Sequence, residues 1–284
     1  MKKIAITGSS GFIGKQLVPI LKSLGYAVTE ISRAKGLDIS KWDSVKDVPK
    51  CDIIIHLAAK TFVPDSFDNP RVFYDVNQTV TTNAMELARL WNSKVIYMSS
   101  YFYGPPQYLP VDEKHSLHPH NPYAQTKMIS ENIVSGYARD FNLKGIVFRL
   151  SNIYGPNQDE SFLIPTILKQ VIVGKLVLKD PRPKRDFIHI LDVVDAIVTS
   201  IEKDFTSLEI VNLGSGVSYS VEEIVDLFRR NSKNSFTIDY TNEFRKGEVL
   251  DSVTSNSKIL ALLGWQPKVS IESGILQLLN SEKV

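Results

Sequence analysis

Tyr123 and Lys127 stand four residues apart in Asn121-Pro122-Tyr123-Ala124-Gln125-Thr126-Lys127, a spacing that puts a phenol and an amine on one face of a helix. Pro122 suits a first helical turn and Asn121 is a good N-cap, so the pair is predicted near a helix start. The backbone dipole there favours negative charge. A protonated amine beside a phenol lowers the phenol's pKa, which lets it give or take a proton near neutral pH. Taken alone, Tyr-x-x-x-Lys is a common surface pair, so its meaning depends on what else the chain supplies.

A second component opens the chain. Lys3-Ile4-Ala5-Ile6 reads as a buried strand running into Thr7-Gly8-Ser9-Ser10-Gly11-Phe12-Ile13-Gly14. An amphipathic helix follows, with Ile13, Leu17, Ile20, Leu21 and Leu24 at helical spacing and Pro19 as an expected kink. Strand, glycine turn and helix together form the context of a dinucleotide site. The glycines permit the turn and bring backbone N–H groups to a pyrophosphate at the helix N-terminus. The next strand, Ala27 to Ile31, ends at Ser32-Arg33. A carboxylate there would bind the ribose 2′-OH of NAD, whereas an arginine accommodates a 2′-phosphate. Ser32 and Arg33, with Lys35 as helper, thus favour NADP(H) over NAD(H), and Glu30 is expected to point away.

These residues need a sheet to hold them. Asp52 to Ala59, Lys94 to Ser99 and Gly145 to Leu150 are apolar runs of buried-strand type, separated by helical stretches Val76 to Trp91 and Pro122 to Phe141. The fold class expected is α/β, a Rossmann-type doubly wound parallel sheet. Ligands then bind at the carboxyl ends of the strands, which is where Ser99, Ser100 and Asn152 fall. After about residue 151 prolines break the pattern and helices shorten. Residues 1–151 are therefore read as the cofactor domain. Residues 152–284 are read as a smaller C-terminal substrate-binding lobe, with part of 185–213 returning to the sheet.

Composition narrows the function classes. The chain of 284 residues carries 33 Lys and Arg against 31 Asp and Glu, with no basic block, so neither nucleic acid nor an anionic membrane is indicated. The sole cysteine, Cys51, excludes an internal disulfide and a cysteine-rich zinc site and fits a reducing cytoplasm. The apolar start at Met1 breaks into glycines too soon for a signal peptide, and no span suits a membrane helix. His115, His118 and His120 sit among prolines without suitable acidic partners, so a loop is expected rather than a metal site.

In sum the chain resembles the extended short-chain dehydrogenase/reductase family, often called NAD-dependent epimerase/dehydratase, from residue 1 to about 280. The marks are Thr7-Gly8-x-x-Gly11-x-x-Gly14, His56-Leu57-Ala58-Ala59, Asn77, Ser99 ahead of Tyr103-Gly104, and Pro122-Tyr123-x-x-x-Lys127. Further along come Arg149-Leu150-Ser151-Asn152-x-Tyr154-Gly155-Pro156, Arg185-Asp186-Phe187-Ile188-His189 and Leu263-Gly264-Trp265. The resemblance implies Tyr123 as acid/base, Lys127 as its modulator and holder of the nicotinamide ribose, and Ser99 as a hydrogen-bond partner of the reacting sugar oxygen. Ser100 would be its stand-in. It assigns the cofactor to Gly8, Ser10, Gly11, Phe12, Ile13, Gly14, Ser32, Arg33, Asp38, Ile39, Leu57, Ala58, Ala59 and Asn77. Asn152, Arg185 and Arg245 would hold a nucleoside-diphosphate sugar, the arginines through the diphosphate, where a guanidinium binds bidentately. A homodimer built on the Tyr-Lys helix and the preceding long helix is also implied, with Ile129, Ile133 and Tyr137 as its contacts.

Departures from the family pattern select among activities. Dehydratases of the family carry Asp-Glu after the catalytic hydroxyl residue, where this chain has Ser100-Tyr101. Reductases that also epimerise carry a cysteine two residues after it, where Tyr101 stands. Before Arg185 the usual glycines are replaced by Lys179-Asp180-Pro181-Arg182-Pro183-Lys184. Ser32-Arg33 and the short connection to Asp38 point to an NADPH-dependent 4-ketoreductase of a 4-keto-6-deoxy sugar nucleotide. A 4-epimerase retaining NAD is the alternative, and a non-catalytic NAD(P) sensor a distant third.

Overall fold

The computed structural model describes residues 1–101, 104–243 and 248–282; Tyr103 and Arg245, named above, lie outside them. The chain runs β1 (Lys3–Thr7), α1 (Phe12–Ser23), β2 (Ala27–Ile31), α2 (Trp42–Val45), β3 (Ile53–His56), α3 (Val63–Asp68) and α4 (Pro70–Trp91). Then come β4 (Lys94–Ser100), α5 (Pro122–Phe141), β5 (Gly145–Leu150), β6 (Asn152–Tyr154), α6 (Leu163–Val173), β7 (Lys175–Leu178) and β8 (Lys184–His189). The remainder is α7 (Ile190–Glu202), β9 (Leu208–Leu213), β10 (Ser218–Ser220), α8 (Val221–Asn231), β11 (Thr237–Tyr240), α9 (Ser257–Leu263) and α10 (Ile271–Ser281).

Six strands pair in parallel in the order β2-β1-β3-β4-β5-β9. Both faces are covered, which explains why the strands read as unbroken apolar runs. Ile4, Ile6, Ile53, Ile55, Ile96 and Phe148 face one core with Leu17 and Leu21 of α1 and Val193, Ile197 and Ile201 of α7. The alternate residues Ala5, Ile54, Val95 and Val147 face another, with Ala84, Leu87 and Ala88 of α4 and Val134 of α5. Pro19 lies inside α1 without ending it. The C-terminal segment contributes twice to this body, since β9 is the sixth strand and α7 packs beside α1.

The rest of the C-terminal half forms a smaller lobe. Its β10-β8-β6 and β11-β7 sheets enclose a third core of Tyr154, Ile164, Ile167, Leu176, Phe228 and Ile275. Asp186 fastens this lobe internally. Its fully buried carboxylate accepts hydrogen bonds from the Ser215 amide and hydroxyl at 2.7 Å each and from the Thr254 hydroxyl at 2.6 Å. A carboxylate at zero exposure is tolerated only when its lone pairs are so filled.

Candidate active site

Chain order diverges at the carboxyl ends of β1 and β3, since β2 returns beside β1 and β3 starts the opposite side. That crevice is where open α/β sheets bind ligands. Gly8, with φ +71°, lies so close to the β3 exit that a Cβ on it would stand 2.8 Å from the Ala58 nitrogen. A Cβ on Gly14 would stand 2.5 Å from the Gly8 carbonyl oxygen. Backbone therefore meets backbone, and α1 starts at Gly11 with no side-chain cap on its first-turn amides. Uncapped amides at the positive end of a helix suit a phosphate.

The resulting cleft, about 430 Å³, is lined by Gly8, Ser10, Gly11, Ser32, Arg33, Asp38, Ile39, Leu57, Ala58 and Ala59. These are most of the expected cofactor residues. Phe12 and Ile13 instead pack against the sheet core. Asn77 sits behind the wall at 1% exposure. Its side chain accepts from the Lys60 amide at 2.8 Å and donates to the Lys60 carbonyl at 3.1 Å and to Thr126 Oγ1 at 2.9 Å. Asn77 thus ties the loop after β3 to α5. Lys60 lines the cleft and went unnoticed in the sequence, where a lysine directly after Leu57-Ala58-Ala59 was the available signal. His56 is structural: its ring lies 2.7 Å from Thr7 Oγ1 and 3.1 Å from Thr81 Oγ1. Burial, with help from the Lys127 charge, pushes it down to about 3, so it is neutral.

At the far end of the cleft, Ser32 is buried and its hydroxyl has no partner among the described residues. Arg33 opens a single 3₁₀ turn directly after it. Glu30 is held away by Lys22 at 2.7 Å and Lys35 at 3.8 Å. Asp38 accepts from the Ser40 hydroxyl at 2.7 Å and amide at 3.0 Å, and these bonds hold its carboxyl below the ordinary range. These residues fit a dinucleotide: a backbone cradle, an uncapped helix start and an orphan hydroxyl beside a guanidinium.

The Tyr-Lys helix begins as expected, with Asn121 Oδ1 accepting from the Ala124 amide at 2.8 Å. The electrostatics differ from the simple pairing. Lys127 donates to the Met98 carbonyl at 2.6 Å and lies 4.5 Å above the Tyr97 ring. Burial pushes its amine down to about 7, opposed by Glu131. The Tyr123 ring is partly covered, yet burial of its hydroxyl raises it to about 12, opposed by a hydrogen bond from Ser100. The lowering expected from Lys127 is absent here because the amine is turned to Met98 and its own charge is strained by burial.

The two serines at the end of β4 have different surroundings. Ser99 is β-register partner of Arg149 and donates to Glu131 Oε2 at 2.8 Å. Ser99 and Ser100 both line the small chamber beside Lys127, and Ser100 is the one that opposes the burial of the Tyr123 hydroxyl. Behind them Arg149 closes a fork on Glu131, with Nη2 at 2.5 Å and Nε at 3.1 Å from Oε1, both side chains almost fully buried. Burial raises the Glu131 carboxyl towards 7, against the Ser99 bond and the Lys127 charge. The bidentate guanidinium decides the state, and the group is a carboxylate.

Of the expected substrate residues, Asn152 donates to the Tyr101 hydroxyl at 2.9 Å and the Asp186 carbonyl at 3.2 Å. Arg185 donates to the Val249 carbonyl at 2.6 Å and pairs with Glu248. The guanidinium expected to meet a diphosphate is thus already engaged by a carboxylate. His115 uses both ring nitrogens within its own loop, accepting from the Gln107 amide at 2.9 Å. No helix among the described residues is long and apolar enough to cross a membrane.

A dinucleotide crevice beside a Ser-Tyr-Lys set defines a nicotinamide-dependent enzyme. Residues 4–214 match the NAD dependent epimerase/dehydratase family, to which this chain belongs. UDP-glucose 4-epimerase of Rhizobium meliloti is 28% identical over 94% of this chain and 93% of its own length. GDP-6-deoxy-D-mannose reductase of Pseudomonas aeruginosa is 26% identical over 98% and 96%. The structure of RMD from Pseudomonas aeruginosa complexed with NADPH superimposes with a TM-score of 0.90 at 25% identity, covering 100% of both chains.

Proposed function

We propose that this enzyme reduces the C4 ketone of a nucleoside-diphosphate 4-keto-6-deoxyhexose, using NADPH. The observation that carries the reading is the end of β2, where an unpartnered buried Ser32 hydroxyl stands beside Arg33 while Glu30 is tied away by two lysines. A ribose 2′-phosphate satisfies that hydroxyl and guanidinium; a 2′-OH alone leaves Arg33 without work. Likeness to a GDP-6-deoxy-D-mannose reductase supports the same reading.

When bound, the nicotinamide supplies the hydride that adds to C4. Tyr123 supplies the proton that turns the carbonyl oxygen into a hydroxyl, so the ketone gains one hydride and one proton. Ser100, rather than Ser99, hydrogen-bonds Tyr123 and the reacting oxygen, because Ser99 is committed to Glu131. Lys127 as an ammonium favours the tyrosinate left behind. Arg185 and Arg245 meet the diphosphate, with Glu248 displaced from Arg185. The enzyme works in the cytoplasm as a homodimer through α4 and α5, whose Tyr74, Leu90 and Phe141 side chains are exposed. Ile133 and Tyr137 pack into the intramolecular core instead.

A second reading, the 4-epimerase retaining NAD, is favoured by likeness to UDP-glucose 4-epimerases. Cofactor titration separates the two. Stripped protein should bind NADPH at least about tenfold more tightly than NADH, and Arg33→Ala should erase the difference. Tightly held NAD in the purified protein, without preference for the phosphorylated form, would establish the epimerase instead.

A further inference from the structure

The catalytic helix carries a third charged side chain on the face it turns to the sheet. Glu131 follows Lys127 by four residues, so the two stand one above the other. Both line the same small chamber, about 10 Å³, together with Ser99 and Ser100. Glu131 is fixed there from two directions: the Ser99 hydroxyl at 2.8 Å from β4 and the Arg149 fork from β5. A carboxylate so held cannot swing out to water.

We propose that Glu131 is a positioning residue that keeps the buried Lys127 amine charged, making the acid/base set a line of five side chains: Ser100, Tyr123, Lys127, Glu131 and Arg149. The inference rests on Tyr123 and Lys127 acting as the acid/base pair, as set out above.

Among the described residues, Glu131 is the counter-charge that opposes the burial of Lys127. From α5 the facing groups are Glu131 and the neutral Tyr123. From β4 they are the Tyr97 ring and the Met98 carbonyl, from β3 the neutral His56, and from β5 Arg149, whose charge Glu131 already meets. An ammonium in an apolar setting loses its proton unless an opposite charge lies close. Burial takes Lys127 to about 7 even with Glu131 opposing it. Without that carboxylate the amine is neutral at physiological pH and gives a tyrosinate no help.

The competing role, a salt bridge that only staples α5 to β5, predicts no change in Lys127 itself. The test therefore reads the amine directly. In protein labelled with ¹⁵N-lysine, the Lys127 Nζ resonance, assigned by its loss in Lys127→Met, is followed against pH. The wild-type midpoint should fall near 7, and Glu131→Gln should lower it by about one pH unit or more. Glu131→Gln removes the carboxylate on which the buried Arg149 fork closes, which endangers folding. The double variant Glu131→Gln/Arg149→Met removes that cation as well and should show a smaller downward movement, whereas an unchanged midpoint in folded Glu131→Gln, or an upward movement in the double variant, overturns the inference.

Turnover gives the second readout. In the reductive direction activity should fall as pH rises through the Lys127 midpoint, and Glu131→Gln should move that falling limb to lower pH, so the variant loses more activity at pH 8 than at pH 6. Equal loss at every pH points to a staple and overturns the inference. A shifted resonance in a protein that reduces no keto sugar nucleotide leaves Glu131 in its role and removes the reductase reading instead.

Discussion

The crevice between β1 and β3 and the C-terminal lobe present polar groups by opposite means. At the crevice between β1 and β3 the binding surface is mostly main chain: Gly8 against Ala58, Gly14 against Gly8, and the uncapped start of α1. In the C-terminal lobe the polar groups are side chains already paired with one another, Arg185 with Glu248 and Asn152 with Tyr101. A backbone site is ready before its ligand arrives. A paired side-chain site has to exchange one partner for another, which costs affinity but lets specificity change by substituting a single residue.

The seam between the halves carries the largest expected effect. Tyr123→Phe should lower kcat by about 10³-fold or more while leaving the NADPH dissociation constant within about twofold, since only the proton donor is lost. Full activity in that variant would remove the mechanism. Beside it, Ser100→Ala should cost about 10²-fold in kcat through loss of one hydrogen bond to the reacting oxygen. Ser99→Ala should cost distinctly less, and the reverse order would restore Ser99 as the contact residue.

The backbone half is probed by Gly8→Ala. One carbon, placed 2.8 Å from the Ala58 nitrogen at a positive φ, should weaken NADPH binding by about tenfold or more and lower Tm by several degrees. Binding that is unaffected would show that the two loops can part and that the cleft is not a fixed backbone surface. The side-chain half should respond in the other direction. Glu248→Gln withdraws the charge that occupies Arg185 and should tighten sugar-nucleotide binding by about threefold, measured by calorimetry. Weaker binding would mean that Glu248 steadies Arg185 for its ligand instead of competing with it.

The same contrast explains what the sequence disclosed. Strands buried on both faces leave long apolar runs, and a glycine that must approach a neighbouring loop leaves a glycine at fixed spacing. Hence β2, β5 and α5 fall at the bounds read from the sequence, and most of the cleft lining was named in advance. Which of two adjacent serines meets Tyr123 is a question of one residue in strand register, to which spacing along the chain is blind. The pairing of Arg185 with Glu248 joins residues 63 positions apart, and Asn77 serves the cofactor loop from behind its wall. Neither leaves a local pattern.

Asn77 has one more consequence. A single carboxamide grips the loop that floors the cofactor cleft and, through Thr126, the turn of α5 that carries Lys127. Order gained on either side is shared with the other, and such coupling is reciprocal. A ligand that orders the loop would through Asn77 order that turn of α5 as well, and by linkage a ligand that orders the turn would tighten binding at the loop by the same free energy.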